Sequence, residues 1–446
     1  MNSIKPTSLA RQLVLAFLLS LLAAAMVAGA AAATARLDMS FGTNGRSLTP
    51  LPAAERFPNS DFNSVVDEAG QILTVGSTRE EQFMLLRYLP NGKPDPSFGQ
   101  GGAVVSPFQG KASDLALDSQ GRIVVVGSWI AGEERTDVSL IARYRSDGSV
   151  DTGFADGGLL VTRKPKQAFA VAVDDQDRIV VAGIGANDFE SRGVVARYDP
   201  DGSEDPSFEE PDDIASTVGD LLIDPAGRIL VAGETRVRPS RRAPQVRRLL
   251  PDGGLDQSFA EGGERLLSGE RFARTSRGAV SAVAATGLAL DSEGRVLVSL
   301  STGAPEPFSR GAGFAAVRLH PDGDLDADFG KRGRVAYPMT NGKRGESALA
   351  LGVFVDAAER VLIGGTVGAG PFNRYPEGFG LIRLRENGRP DPGFRPHGRL
   401  RIGFGRVSVL GGAPQPLSGS RVLLAGQGRR GEEQFGVLAR VSVRGG

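Results

Sequence analysis

Three polar residues occupy equivalent places in a recurring pattern, each four positions before an aspartate: Asn63, Asp114 and Asp220. Oxygen donors gathered on a common axis are what a hard cation such as calcium takes, so these three form a candidate metal site. The plain alternative is a set of solvated side chains lining a wet channel. A second candidate set is aromatic. It comprises Trp129, the one tryptophan, with Phe308, Phe372 and Tyr375, and Arg374 beside the last. Rings presented on loops stack on sugars or bury against a protein partner, or else pack within the loops themselves. A basic run, Arg236, Arg238, Arg241, Arg242, Arg247 and Arg248, suits an anionic glycan or an acidic partner if it is more than a solvated loop.

Other chemistry is excluded by what the chain lacks. It has 446 residues with no cysteine and two histidines, which removes thiolate chemistry and argues against a histidine-based relay or metal cluster. No phosphate-cradling loop, nucleophile elbow or zinc motif occurs, so no catalytic residue is assigned. The densest acidic stretch, Asp322-Gly-Asp324-Leu-Asp326-Ala-Asp328, fails as an EF-hand because Ala327 and Gly333 stand where that loop needs Gly and Glu. Capping of a tight turn explains it more simply. Lys+Arg and Asp+Glu are both 52, so the usual electrostatic case for nucleic acid is missing.

The elements that must position these residues come from repetition. An Asp-containing phrase ending in Phe recurs at Phe41, Phe98, Phe154, Phe208, Phe259, Phe329 and Phe394. Apolar bursts start at Ile72, Ile123, Ile179, Ile229, Val296, Val361 and Val422. Arginines recur at Arg87, Arg143, Arg197, Arg248, Arg318, Arg383 and Arg440. A residue shared by every unit is best explained by what every unit needs, here pairing with the turn aspartate or covering the interior with its stem. Each burst is a short β-branched or aliphatic run between turns, hence a buried strand. Four such segments fall in each unit, strands A to D, and no helical periodicity lies between them. The expected fold is all-β: a seven-bladed β-propeller of four-stranded antiparallel blades.

The phrase Tyr144-Arg-Ser-Asp-Gly-Ser-Val-Asp-Thr-Gly-Phe, followed by Gly157-Gly158 and preceded by an Arg-Ile-Val-Val-Val-Gly burst, resembles the delta-60 repeat, a bacterial propeller-like repeat. The resemblance extends over residues 36–446. It implies a secreted or surface protein and brings no reaction, cofactor or catalytic residue. Two departures bear on the regularity of the fourth and fifth repeats: Phe208 precedes Glu209-Glu210-Pro211, and Leu300 stands where Gly76 or Gly127 sits elsewhere.

Residues 1–35 read as a signal peptide, with Lys5 and Arg11, an apolar run from Leu13 to Ala33 and the small-x-small site Ala33-Thr34-Ala35. The rest, 36–446, reads as one domain outside the cytoplasm: secreted, periplasmic or on the cell surface. The first unit opens with a D-like segment and the last stops after strand C. Residues 45–50 are therefore expected to close the ring beside 435–442. The A–B and C–D connections are constant in length, with arginine to next phenylalanine always 11 residues, while B–C and D–A vary. Alternating turns put the constant set on one rim and the variable set on the other. Insertions gather at Ser268–Ser281, Gly303–Gly313 and Gly368–Gly378. A monomeric, non-enzymatic scaffold for a protein or polysaccharide is expected, with no cofactor unless calcium and no membrane contact unless the leader stays as an anchor. The alternative is an extracellular propeller enzyme with an axial cation, of a lactonase-like or quinone-dependent dehydrogenase-like kind.

Overall fold

The structure, a computed structural model, describes residues 35–51, 63–78, 80–131, 136–187, 190–211, 215–238, 241–267, 273–275, 278–303, 313–339, 346–369, 375–394, 398–411, 413–431 and 433–443. Residues 1–34, which hold most of the expected signal peptide, and the side chains of Phe308, Phe372, Arg374 and Tyr375 lie outside what is described. Seven antiparallel sheets are arranged as the blades of a propeller. The second blade shows the plan: Lys111–Leu117 (A), Ile123–Ala131 (B), Thr136–Tyr144 (C) and Leu159–Thr162 (D), hydrogen-bonded in that order. Strand B is buried on both faces, which is why its sequence is a continuous apolar run rather than an alternation. The core lies between blades. Leu73, Phe83 and Phe98 of the first blade, for example, pack with Leu115, Val125 and Leu140 of the second.

Closure is as expected. Arg46–Pro50 pairs with Phe435–Ala439 as the D strand of the last blade, and Arg36–Leu37 extends the pairing to Val441 and Ser442. In the third blade, strands Gln167–Val173, Ile179–Asn187 and Glu190–Tyr198 are described. Its fourth position falls where residues 212–214 lie outside the described ones.

Strand A is bulged at one equivalent place in blades two to six, next to Ser113, Phe169, Gly219, Thr286 and Leu351. The bulge drives a strand-A carbonyl toward strand B. A Cβ on Gly127 would lie 2.1 Å from the Lys111 carbonyl oxygen, which explains the glycine inside the burst. The fifth blade carries Leu300 there, fully buried, and its strand A has a second register shift between Ala282 and Ala284.

Candidate functional site

The two rims are built differently. On the constant rim, an aspartate turns the A–B hairpin of blades two to six: Asp118 Oδ1 accepts the amides of Gln120 (3.0 Å) and Arg122 (2.8 Å), and Asp174, Asp224, Asp291 and Asp356 do the same. Each C–D turn uses one aspartate twice. Asp95 Oδ1 accepts the Ser97 amide, while Oδ2 meets the strand-C Arg87. All seven blades repeat that ion pair, at 2.6 to 2.9 Å. The acidic turns are thus turn caps, as expected from their recurrence.

The arginine does more than the sequence suggests. Each guanidinium lies over the phenylalanine of its own phrase, 4.6 to 4.9 Å from the ring centroid. Its Nη1 then donates to a backbone carbonyl of the next blade: Arg87 to Ser146, Arg143 to Pro200, Arg197 to Pro251, Arg248 to Pro321, Arg318 to Glu386 and Arg383 to Val443. Arg440 completes the circle by donating to Pro90 of the first blade at 2.6 Å. The seven buried arginines are therefore a hoop joining blade to blade. Burial alone would raise the Asp205 carboxyl, but the Ser207 hydroxyl and amide and Arg197 hold it down to about 2.

The proposed axial ligands also face neighbouring blades. Asn63 Nδ2 donates to the Ser113 carbonyl at 2.7 Å. Asp114 Oδ2 accepts the Val171 amide at 2.9 Å. Asp220 accepts the Leu288 amide at 2.6 Å and its neighbour Leu221's at 2.8 Å. Burial pushes the Asp220 carboxyl up to about 6 despite those two amides. Where this position is glycine, backbones touch: a Cβ on Gly352 would sit 2.2 Å from the Ala413 Cβ. The three residues sit on separate blades, and among the described residues no three His, Asp or Glu side chains are grouped as a metal site.

On the variable rim, the hairpins continue as strands. Trp129 is not in a loop, as its sequence position suggested. It lies within strand B opposite Val138, partly buried against the core between the first two blades. Tyr375 opens strand C of the sixth blade opposite Ala369. The basic run is likewise a hairpin, with Arg236 opposite Arg242 and Arg238 opposite Arg241. Arg247 pairs with Glu264 at 2.6 Å, and Arg248 belongs to the hoop. Strand A of the fifth blade runs from Gly278 to Leu290, with Ala273–Thr275 folded back on it. His320 lies in the C–D turn of the fifth blade, 3.8 Å from Asp326. His397 falls outside the described residues.

The family model described as Domain of unknown function (DUF5122) beta-propeller matches residues 70–98, 119–154, 177–208 and 225–259. Each match runs from the A–B turn through strands B and C to the phenylalanine, which is the scaffold of the repeat. It supports a propeller-repeat family, and the name delta-60 stays a resemblance. No curated protein matches the chain. Among solved structures, the polysaccharide lyase Uly1 is similar with a TM-score of 0.50 and 8% identity, over 88% of this chain and 93% of that one. A PL25 ulvan lyase gives 0.48 at 11% identity, over 88% and 94%. Drosophila Semaphorin 2a gives 0.47 at 7%, over 89% and 76%. At such identities the likeness is one of fold alone.

Proposed function

We propose that this propeller is a secreted or cell-surface binding scaffold, without catalysis of its own, that offers its variable rim to a protein or polysaccharide. The observation that carries this reading is the contrast between rims. One is fixed by the same aspartate and arginine hydrogen bonds in blade after blade. The other differs in hairpin length, strand extension and side-chain type from blade to blade. Divergent connections on a rigid frame are where a repeat protein places recognition. The leader-like residues 1–35 support export of the domain.

The test is a screen of the purified chain against a glycan panel and defined surface proteins. It is repeated after residues 304–312 and 370–374 are replaced by short Gly-Ser turns. Binding that falls at least tenfold supports the variable rim, and binding that is unchanged removes it. The second reading, an enzyme with an axial cation, rests on Asn63, Asp114 and Asp220. Metal analysis of the purified chain, with Asp114→Asn and Asp220→Asn beside it, addresses that directly.

A further inference from the structure

The seventh blade breaks the charge pattern of the constant rim. In five blades the arginine just before the burst pairs with the aspartate four residues earlier, at 2.5 to 2.8 Å: Arg122, Arg178, Arg228, Arg295 and Arg360. The seventh keeps the arginine, Arg421, but has Leu417 in the aspartate's place, packed toward the core between the seventh and first blades. Arg421 instead donates Nε to the Ser418 carbonyl at 2.8 Å and Nη2 to the Ser418 hydroxyl at 3.4 Å. Of the five N–H donors a guanidinium carries, three make no hydrogen bond among the described residues. Among the described residues no carboxylate is paired with Arg421 or with Arg36.

These two cations line one cavity of about 560 Å³, formed where the first strand joins the last, with Ser40 and Gly419 on its wall and Met39 at its mouth, 62% exposed. The carboxylate there, Asp38, is already held by Arg440 at 2.9 Å. Burial, and then the charge of Arg421 working against the help of Asp38, pull the Arg440 guanidinium below its ordinary value. The hollow thus carries excess positive charge, which a charge-assisted bond to an oxyanion would meet. A second hollow of about 320 Å³ shares Arg36, Leu37 and Met39 and reaches Arg46 and Arg401 on the outer strands.

We propose that the closing seam, through Arg36 and Arg421, is an oxyanion-binding site for a carboxylate or sulfate group. The site lies on the constant rim, so it does not rest on the variable-rim reading. The paired hollows give a chain bearing several such groups room to run from one to the next, with Met39 as an apolar contact.

Sodium sulfate is titrated into the purified chain at constant ionic strength against sodium chloride, because screening alone would change both alike. Sulfate is expected to raise the melting temperature where chloride does not. Arg36→Gln and Arg421→Gln should weaken the sulfate Kd at least tenfold, and Arg145→Gln, on the same rim of another blade, should leave it unchanged. Leu417→Asp restores the missing carboxylate and should abolish the sulfate response in a folded protein. A dextran sulfate oligosaccharide binding more tightly than the free ion identifies a polymeric source; equal affinity per sulfate group identifies a small anion. Either result keeps the oxyanion site. An equal response to sulfate and chloride, or sulfate binding that survives Arg421→Gln or Leu417→Asp, overturns it.

Discussion

Replacing Asp220 by asparagine should change how stability depends on pH, and in a direction opposite to that of the arginine-paired aspartates of the constant rim. The Asp220 carboxyl is enclosed between the fourth and fifth blades and accepts two amides, from Leu288 and Leu221. Burial raises it from 3.8 to about 6. The folded chain therefore keeps a proton that the unfolded chain gives up, so stability declines as pH rises from about 4 to about 6 and then levels. A displacement of roughly two units at 1.36 kcal/mol each makes the ionised group cost about 3 kcal/mol above pH 6. Asparagine keeps an acceptor for the Leu288 amide and carries no charge. Urea unfolding of both proteins between pH 4 and pH 8, followed by circular dichroism, should show the difference shifting toward Asp220→Asn by about 3 kcal/mol over that span. Parallel stability curves would refute the reasoning, since every other titrating group is common to both proteins.

Two further outcomes follow from the packing between blades. Arg197→Met takes the nearer cation from buried Asp205, leaving it Arg178 at 3.6 Å, and removes the link to Pro251; it should cost about 3 kcal/mol by chemical unfolding at pH 7. Because the Ser207 hydroxyl and amide and then Arg197 hold Asp205 at about 2, wild-type stability from that carboxylate is full above the unfolded value and fades as pH falls toward 2, and the variant, which keeps the Ser207 bonds, should show a smaller acid-side decline. Gly352→Ala, with its new Cβ 2.2 Å from the Ala413 Cβ, should lower stability by about 1–3 kcal/mol; an unchanged melting temperature would show that the inner strand of the sixth blade and the Ala413 segment of the seventh can part without cost.

What could be read from the sequence was whatever repeats within one blade. The burst of Ile123-Val124-Val125-Val126, the aspartate five residues before it and the unfinished last unit led to the sheets, the turns and the closing strand. What could not be read was contact between blades, because spacing along the chain does not record how one sheet lies against the next. Hence Arg143 was legible as a partner of Asp151 but not as a donor to Pro200. Asp114 and Asp220 could be placed on the inner strands, but their reach sideways to Val171 and Leu288 could not. Trp129 looked like a loop residue because hairpin length is invisible until both strands are paired. The sharpest usable signal was an exception: Leu417 breaks a rule that five other blades keep.

The pairing of Arg46–Pro50 with Phe435–Ala439 sets a clock on biosynthesis. The first of these segments leaves the ribosome well before the second exists. At roughly 5–20 residues per second, some tens of seconds separate them. Until its mate is made, the earliest strand has no partner for its outer hydrogen-bonding edge, so the ring can close only after the last residues arrive.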